Sequence, residues 1–209
     1  MKNDTYLQDL TEIKSIMKHS TRFLSLSGFS GVSVGVIALC SSFLAFLYIR
    51  SIQTEQAHSP HISDGVLHQN AILLLFALAL LTLVLSISVA YYFTLRKSKS
   101  DNTPLWTPAS KKLVVDMSIP LLTGGLFSLI SVVHGLFVLV APITLICYGL
   151  SLVSASKYTV YELKHFGVLQ IILGLIAFTI MAYHLIIWAF GFGVLHIFYG
   201  LMMYFRYEK

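Results

Sequence analysis

Three histidines, His134, His184 and His196, are the residues whose type and spacing could do chemistry in this sequence. Each lies in a stretch without Asp, Glu, Lys or Arg and within seven residues of a predicted turn, so all three should lie at one depth near the outer ends of their helices. Neutral imidazole is the commonest metal ligand, and two or three converging imidazoles could hold a haem iron, zinc or copper. We therefore consider a metal or haem site at the outer leaflet. The interpretation we favour is that each histidine forms a hydrogen bond to a backbone carbonyl or a hydroxyl. A role in pH sensing is the third interpretation.

Other catalytic or transport chemistry has little support in the sequence. Apart from Lys157 and Arg206, each at the last position of its span, the predicted spans contain no Asp, Glu, Lys or Arg, which counts against an acid and base pair and against the buried carboxylate of a proton-coupled carrier. No serine lies in a GxSxG motif, and the two cysteines, Cys40 and Cys147, form no CxxC motif. We expect a protein that is not an enzyme. A protein without a cofactor is the interpretation we favour, and a bound metal ion or haem is the alternative.

The elements that position these histidines are membrane spans. The chain has 209 residues, of which 56% are hydrophobic and 11% are charged, whereas a soluble domain carries about 25% charged residues. Because a spanning helix needs roughly 20 apolar residues, the four long tracts without charge predict six transmembrane helices. Their predicted bounds are 23–49, 70–95, 117–140, 142–157, 166–189 and 191–206. A water-soluble globule is excluded, and we expect a single all-α integral membrane domain over residues 1–209 with the lipid bilayer as a partner.

The predicted spans should pair as three helical hairpins. Tight outer turns are expected at Ala141-Pro142, where the proline suits the first turn of a new helix, and at Gly191-Phe192-Gly193. Residues 1–21 place apolar side chains at spacings of three and four, which predicts an amphipathic helix on the cytoplasmic surface. A shift of 51 residues superposes Tyr-Gly-Leu at 148–150 on the same tripeptide at 199–201. The second and third hairpins could therefore be duplicates.

The distribution of basic residues predicts the orientation in the membrane. Thirteen of the 14 Lys and Arg residues fall on the side that holds both chain ends, and only Arg50 falls on the other side. Because basic residues near span ends are retained in the cytoplasm, both termini should be cytoplasmic. This asymmetry accounts for the pI of about 9.2, so no nucleic-acid partner is implied. The stretch from Arg96 to Lys99 could also contact anionic lipid headgroups, but topology alone explains it.

Small residues on the first span predict a close helix contact. Ser27, Gly31 and Gly35 recur every four residues, and the two glycines form a GxxxG pattern that lets another helix approach. Packing within the chain is the interpretation we favour. Homo-oligomerisation is the alternative.

Three short strings of the sequence are RFLSLSG at 22–28, ASKYT at 155–159 and GFGVLHI at 191–197. They resemble strings of small multi-pass proteins of the bacterial inner membrane, a family with no assigned activity. The resemblance implies a bacterial inner-membrane location and supplies no ligand or catalytic residue. We therefore expect a non-enzymatic membrane protein that acts through helix packing, oligomerisation or partner binding. The alternatives are a histidine-ligated metal or haem protein and, third, a small carrier or channel.

Overall fold

The computed structural model describes residues 27–58 and 64–209, and every regular element within these ranges is helical. Six helical segments are long and apolar enough to cross a membrane, which confirms the prediction of an all-α chain with six candidate spans. The amphipathic helix predicted for residues 1–21 lies outside the described residues. The arrangement of the spans as three hairpins stays a prediction.

The helices are numbered in chain order as α1 Gly28–His58, α2 Asp64–Ser100, α3 Pro108–Val133, α4 Val140–Ala155, α5 Glu162–Thr179, α6 His184–Ala189 and α7 Leu195–Tyr207. Short 3₁₀ turns, Phe137–Leu139 and Met181–Tyr183, precede α4 and α6, and a π-helical turn, Phe190–Val194, joins α6 to α7. The residues from Met181 to Tyr207 therefore form one continuous candidate span, which we call the C-terminal span.

The helix predicted over 117–140 begins nine residues earlier, at Pro108, because its N-terminus is capped. Thr107 Oγ1 accepts a 3.1 Å hydrogen bond from the Ser110 amide, and Ser110 Oγ accepts one of 2.7 Å from the Thr107 amide. This capping box satisfies two backbone amides, and Pro108 takes the first helical position, where no amide is needed. The charged residues of this region consequently lie inside the helix: Lys111, Lys112 and Asp116.

The turn after α3 lies at Gly135, and the prediction of a turn at Ala141-Pro142 is wrong. Gly135 has a φ of +73°, a left-handed conformation that glycine adopts without steric cost. Its amide donates to Val132 O at 3.0 Å, and the Leu136 amide donates to Ser131 O at 2.8 Å, which are the two bonds of a Schellman motif. Pro142 lies in the first turn of α4, as predicted, but the chain reverses direction several residues before that helix begins.

The predicted turn at Gly191-Phe192-Gly193 is also wrong, because these residues lie inside the C-terminal span. The chain breaks at Ile180 instead, before the 3₁₀ turn that leads into α6. In the π-helical turn the Leu195 amide donates to the carbonyl of Phe190, five residues earlier. Both glycines are buried, and Gly193 lies in the close contact with α1 rather than at a change of chain direction.

The described residues form two compact units. In the first unit, residues 95–175, α4 packs against α3 and also meets α5. In the second unit, residues 27–94 and 176–209, α1 packs along α6, the π-helical turn and α7. Helix α2 lies beside α1 in the second unit, where the hydroxyl groups of Thr82 and Ser41 are hydrogen-bonded at 2.6 Å. The single membrane domain expected over residues 1–209 stays a prediction.

Large apolar side chains are exposed along the helices of each unit. Ile119 and Leu122 on α3 are 63% and 66% exposed, and leucines along much of α2 are exposed to a similar degree. Apolar surface of this extent would cause aggregation in water, whereas it is stable against lipid. The surface therefore fits a membrane protein.

Candidate functional site

Gly31 and Gly35 of the predicted small-residue stripe lie where α1 meets the C-terminal span. A Cβ atom placed on Gly31 would lie 3.0 Å from the Cα of Gly200, and one on Gly35 would lie 2.7 Å from the carbonyl oxygen of Gly193. A side chain at Gly35 would overlap the backbone opposite, and one at Gly31 would force that backbone to move by a few tenths of an ångström, so glycine at these positions allows the two helices to approach this closely. Ser27 is buried directly before the helix begins. The two stripe glycines thus contribute to a contact within the chain.

Three more glycines of this contact were not selected from the sequence: Gly28, Gly193 and Gly200. A Cβ on Gly28 would lie 2.5 Å from Gly200 O, and one on Gly200 would lie 2.5 Å from the amide nitrogen of Val32. The signal was present, because Gly28 and the two stripe glycines follow the three-and-four spacing of one helix face. A strict four-residue spacing selects Ser27 in place of Gly28.

A second glycine contact joins α4 to α5 in the first unit. A Cβ on Gly149 would lie 2.6 Å from Gly167 O, and one on Gly167 would lie 2.7 Å from Gly149 O. Gly174, two helical turns after Gly167, would meet Pro142 O at 3.0 Å in the same way. Gly149 and Gly200 are the central residues of the two Tyr-Gly-Leu tripeptides. The internal sequence match therefore marks a backbone contact in each unit.

Three aromatic rings tie α1 to its neighbours at the end where α1 begins. The ring of Phe29 lies 4.6 Å from that of Tyr204 on α7 and 6.2 Å from that of Phe93 on α2, measured between centroids. Such separations are typical of favourable aromatic pairs. These rings therefore reinforce the glycine contact with side-chain packing at one level of the second unit.

His134 and His184 lie at helix ends. His134 directly follows α3 and is exposed, and its backbone amide donates to Ile130 O at 3.1 Å. His184 begins α6, and its ring Nδ1 lies 2.7 Å from Met181 O. Because a carbonyl oxygen only accepts, this geometry makes Nδ1 of His184 the donor.

His196 is buried against the π-helical turn and is 4% exposed. Its ring stacks on that of Phe192 at a centroid distance of 5.7 Å, and its Nδ1 donates to Gly191 O at 3.1 Å. The π-helical turn therefore presents a ring and a backbone carbonyl to one imidazole, which fixes the orientation of the imidazole. Single π-helical turns of this kind are frequently found at functional sites.

His184 and His196 do not converge on one site. Both lie on the C-terminal span, twelve residues apart, which corresponds to roughly 18 Å along a helix. Two nitrogen ligands of one metal ion lie at most about 4 Å apart, because each metal–nitrogen bond is about 2 Å long. The equal depth predicted for this pair assumed a turn at residues 191–193 and is wrong. Within residues 27–58 and 64–209, no three His, Cys, Asp or Glu residues group so that they could hold a metal ion.

Tyr158 and Asp116 form a polar contact at one end of the first unit. The Tyr158 hydroxyl donates a 2.8 Å hydrogen bond to Asp116 Oδ2, which connects the segment between α4 and α5 to the third turn of α3. This hydrogen bond, followed by desolvation and the charge of the carboxylate, raises the pKa of the Tyr158 phenol above its ordinary value of 10.0. The phenol therefore stays neutral near pH 7 and acts as a hydrogen-bond donor.

The glycine contacts, the hydroxyl pair and the ring contacts all join one helix to another. No protein-family model, no curated protein and no solved structure matches the chain. The helix contacts themselves therefore carry the functional inference.

Proposed function

We propose that the protein is a non-enzymatic multi-pass protein of the bacterial inner membrane that acts through close helix packing and through association with a second copy of itself. The glycine contacts support the packing part of this proposal, because Gly31 with Gly200 and Gly149 with Gly167 bring helix backbones together in each unit. The exposed apolar surface of α3, where a Cβ at Gly125 would meet nothing within 4 Å, supports the association with a second copy. Lipid provides no hydrophobic force between helices, so contacts between small residues and interhelical hydrogen bonds are the main means by which membrane helices associate.

The positions of the charged residues support packing over catalysis or ion transport. In the candidate spans, charged residues are confined to the parts near the helix ends, and Asp116, nine residues into α3, is paired with Tyr158. Carriers and ion channels commonly place a carboxylate or a ring of charge along the path of the ion. The polar contact between α1 and α2 is instead the neutral pair of Thr82 and Ser41.

A cytoplasmic location for both chain ends is part of the proposal. The turn at 134–136 and the break at Ile180 carry no Lys or Arg, whereas the segments at the opposite ends of the same helices carry most of the basic residues. Reporter fusions test this orientation. We expect a periplasmic signal from a fusion after Ser59 and a cytoplasmic signal from a fusion after Lys209, and the reverse pattern would contradict the orientation.

Self-association of the purified chain in lipid bilayers tests the function. Two differently labelled preparations, mixed and diluted with increasing amounts of lipid, should show energy transfer that falls as the protein is diluted. Gly125→Leu is an informative variant, because a Cβ at Gly125 meets nothing within 4 Å and the fold should tolerate it. A loss of energy transfer in Gly125→Leu without a loss of stability would place the contact between copies on this face of α3.

The alternatives give different outcomes in the same preparation. Stoichiometric metal or haem in the purified protein would favour the histidine-ligated alternative, and a flux of ions or small solutes into liposomes would favour a carrier or channel. A chain that stays monomeric at every lipid dilution would contradict the proposed self-association, and either activity would contradict a role through packing alone.

A further inference from the structure

The two ends of the first unit differ in charge. At one end lie the last turn of α2, the first turns of α3 and the connection from α4 to α5, and the hydrogen bond from Tyr158 to Asp116 joins two of these parts. This end, which we call the basic end, has six exposed basic side chains: Arg96, Lys99, Lys111, Lys112, Lys157 and Lys164. The turn at residues 134–139, at the opposite end of α3 and α4, contains no Lys, Arg, Asp or Glu.

Acidic residues do not balance the basic end. Three carboxylates, Asp101, Asp116 and Glu162, lie there against seven basic residues when the half-buried Lys97 is included. The carboxylate of Asp116 accepts the hydrogen bond of the Tyr158 phenol and is therefore directed toward a neutral group. The remaining excess of positive charge over a small area attracts anions, and the attraction is stronger beside the low-dielectric interior of a bilayer.

Aromatic side chains place the basic end at the level of the lipid headgroups. Trp106 and Tyr161 are 60% and 61% exposed, and exposed Trp and Tyr rings concentrate at the boundary between the hydrocarbon and the headgroups. Lys164 Nζ lies 5.9 Å from the centroid of the Tyr161 ring, so this ammonium group lies close to the depth of the ring. Cationic groups at this depth meet lipid phosphates before they meet bulk water.

We propose that the basic end of the first unit binds the headgroups of anionic phospholipids. The rule that basic residues stay in the cytoplasm accounts for the side on which these residues fall. It does not require that six exposed cations gather on adjacent helix ends beside two exposed interfacial rings. On such a surface a single phosphate can meet more than one cation, which is typical of basic sites between membrane helices that select anionic lipids. A zwitterionic headgroup should bind this surface much more weakly, because the basic side chains repel the cation of the headgroup.

Lipid retention by the full chain tests this binding. The protein, purified in a mild detergent, would be incubated with equal amounts of phosphatidylglycerol and phosphatidylcholine, and the retained lipids would be counted by native mass spectrometry. We expect the wild type to retain phosphatidylglycerol several-fold over phosphatidylcholine. In the double variant Lys111→Gln/Lys112→Gln most of this preference should be lost, because each basic residue near an anionic surface contributes about 1 kcal/mol, a factor of about five. High salt should also lower the preference, because it screens exposed charges.

Two further variants make the outcome decisive. Lys157→Gln/Lys164→Gln removes two cations from another part of the basic end and serves in place of the first variant if that variant does not fold. Arg206→Gln/Lys209→Gln removes the same charge from the second unit and is the matched control. Equal retention of the two lipids by the wild type would overturn the proposal, as would an unchanged preference in both basic-end variants or an equal loss in the control.

Discussion

Oε1 of Glu208 lies 2.7 Å from the backbone nitrogen of Gly28, so a side chain from the end of α7 accepts a hydrogen bond from the first residue of α1, 180 positions earlier. The first amides of a helix have no partner within the helix, and a negative charge beside them is favourable. This bond therefore joins the start of α1 to the end of α7 at the same place where Gly28 meets Gly200. The cap and the glycine contact fix the register of the two helices together.

We expect Glu208→Ala to lower the free energy of unfolding by about 1 kcal/mol, because helix caps typically contribute this amount. Glu208→Gln should lose less, since its amide oxygen still accepts a hydrogen bond but carries no charge. Reversible unfolding in mixed micelles, with Lys209→Ala as the control, measures the difference. Equal stability of all four proteins would show that the cap does not contribute.

Gly200→Ala should destabilise the protein by roughly 1–3 kcal/mol, the usual cost of forcing an extra methyl group into a packed interior. The added Cβ would lie 2.5 Å from the amide nitrogen of Val32, and neither helix backbone can yield without moving as a whole. Gly125→Ala is the matched control, because its Cβ would meet nothing within 4 Å and alanine favours the helix. Unfolding curves of the two variants should therefore shift in opposite directions, or at least differ by more than 1 kcal/mol. Similar curves would contradict the backbone contact.

His196→Leu should destabilise the protein by about 1 kcal/mol, since hydrogen bonds between side chains in membrane proteins contribute about 0.6 kcal/mol on average and at most about 1.7 kcal/mol. The change removes the bond to Gly191 O and the ring stacked on Phe192. His196→Asn should recover part of the loss, because its amide nitrogen can occupy the place of Nδ1. His134→Leu, at an exposed position, is the control, and thermal unfolding of the three variants gives the comparison. If His196→Leu and His134→Leu have the same effect, the buried hydrogen bond does not contribute.

Tyr158 should contribute to stability at neutral pH and lose that contribution in alkali. Its pKa is raised in the folded protein, so the folded state favours the neutral phenol, and the contribution is complete below the ordinary value of 10.0 and disappears as the pH rises through the raised pKa. The stability difference between the wild type and Tyr158→Phe should therefore be constant up to about pH 10 and shrink above it.

Ultraviolet difference spectra supply an independent measurement of the same group. The phenolate signal that is missing in Tyr158→Phe should appear at a lower pH in Asp116→Asn than in the wild type, because the variant lacks the carboxylate that accepts the phenol's hydrogen bond and carries the negative charge. A signal at the same pH in both proteins would show that the carboxylate does not hold the proton.

The number of spans could be predicted from composition, whereas the turns that join them could not. A tract without charge reports that a segment is in the membrane but does not say where the chain reverses direction. Gly135 reverses it through a positive φ, a backbone property that an uncharged sequence of Gly and Leu does not reveal. Pro142 and Gly193 look like turn residues, but one starts a helix and the other lies in a helix contact.

Which residues lie opposite the site residues depends on where each helix begins and ends in space, and the spacing of residues in the sequence does not give this. The face of α1 that holds Gly31 and Gly35 could be predicted from its period, but Gly200 as the residue opposite could not, because any glycine on another helix would serve equally. The same holds for Glu208, whose cap on Gly28 depends on the length of every helix between them. The shared depth of His184 and His196 failed for a related reason, because it rested on one assumed turn.

The π-helical turn at residues 190–194 sets the rotational phase of α7. An α-helix turns about 100° per residue, and the π-helical turn takes up one residue more than an α-helical turn, so the residues after it lie about 100° away from where a regular helix of the same sequence would place them. In such a regular helix Gly200 would leave the face that meets α1, although no side chain in the contact had been changed. Deleting one residue from this segment should therefore leave a regular helix with the α7 glycine still on that face, whereas deleting two should rotate it away. What this part of the chain must preserve is the phase between α6 and α7.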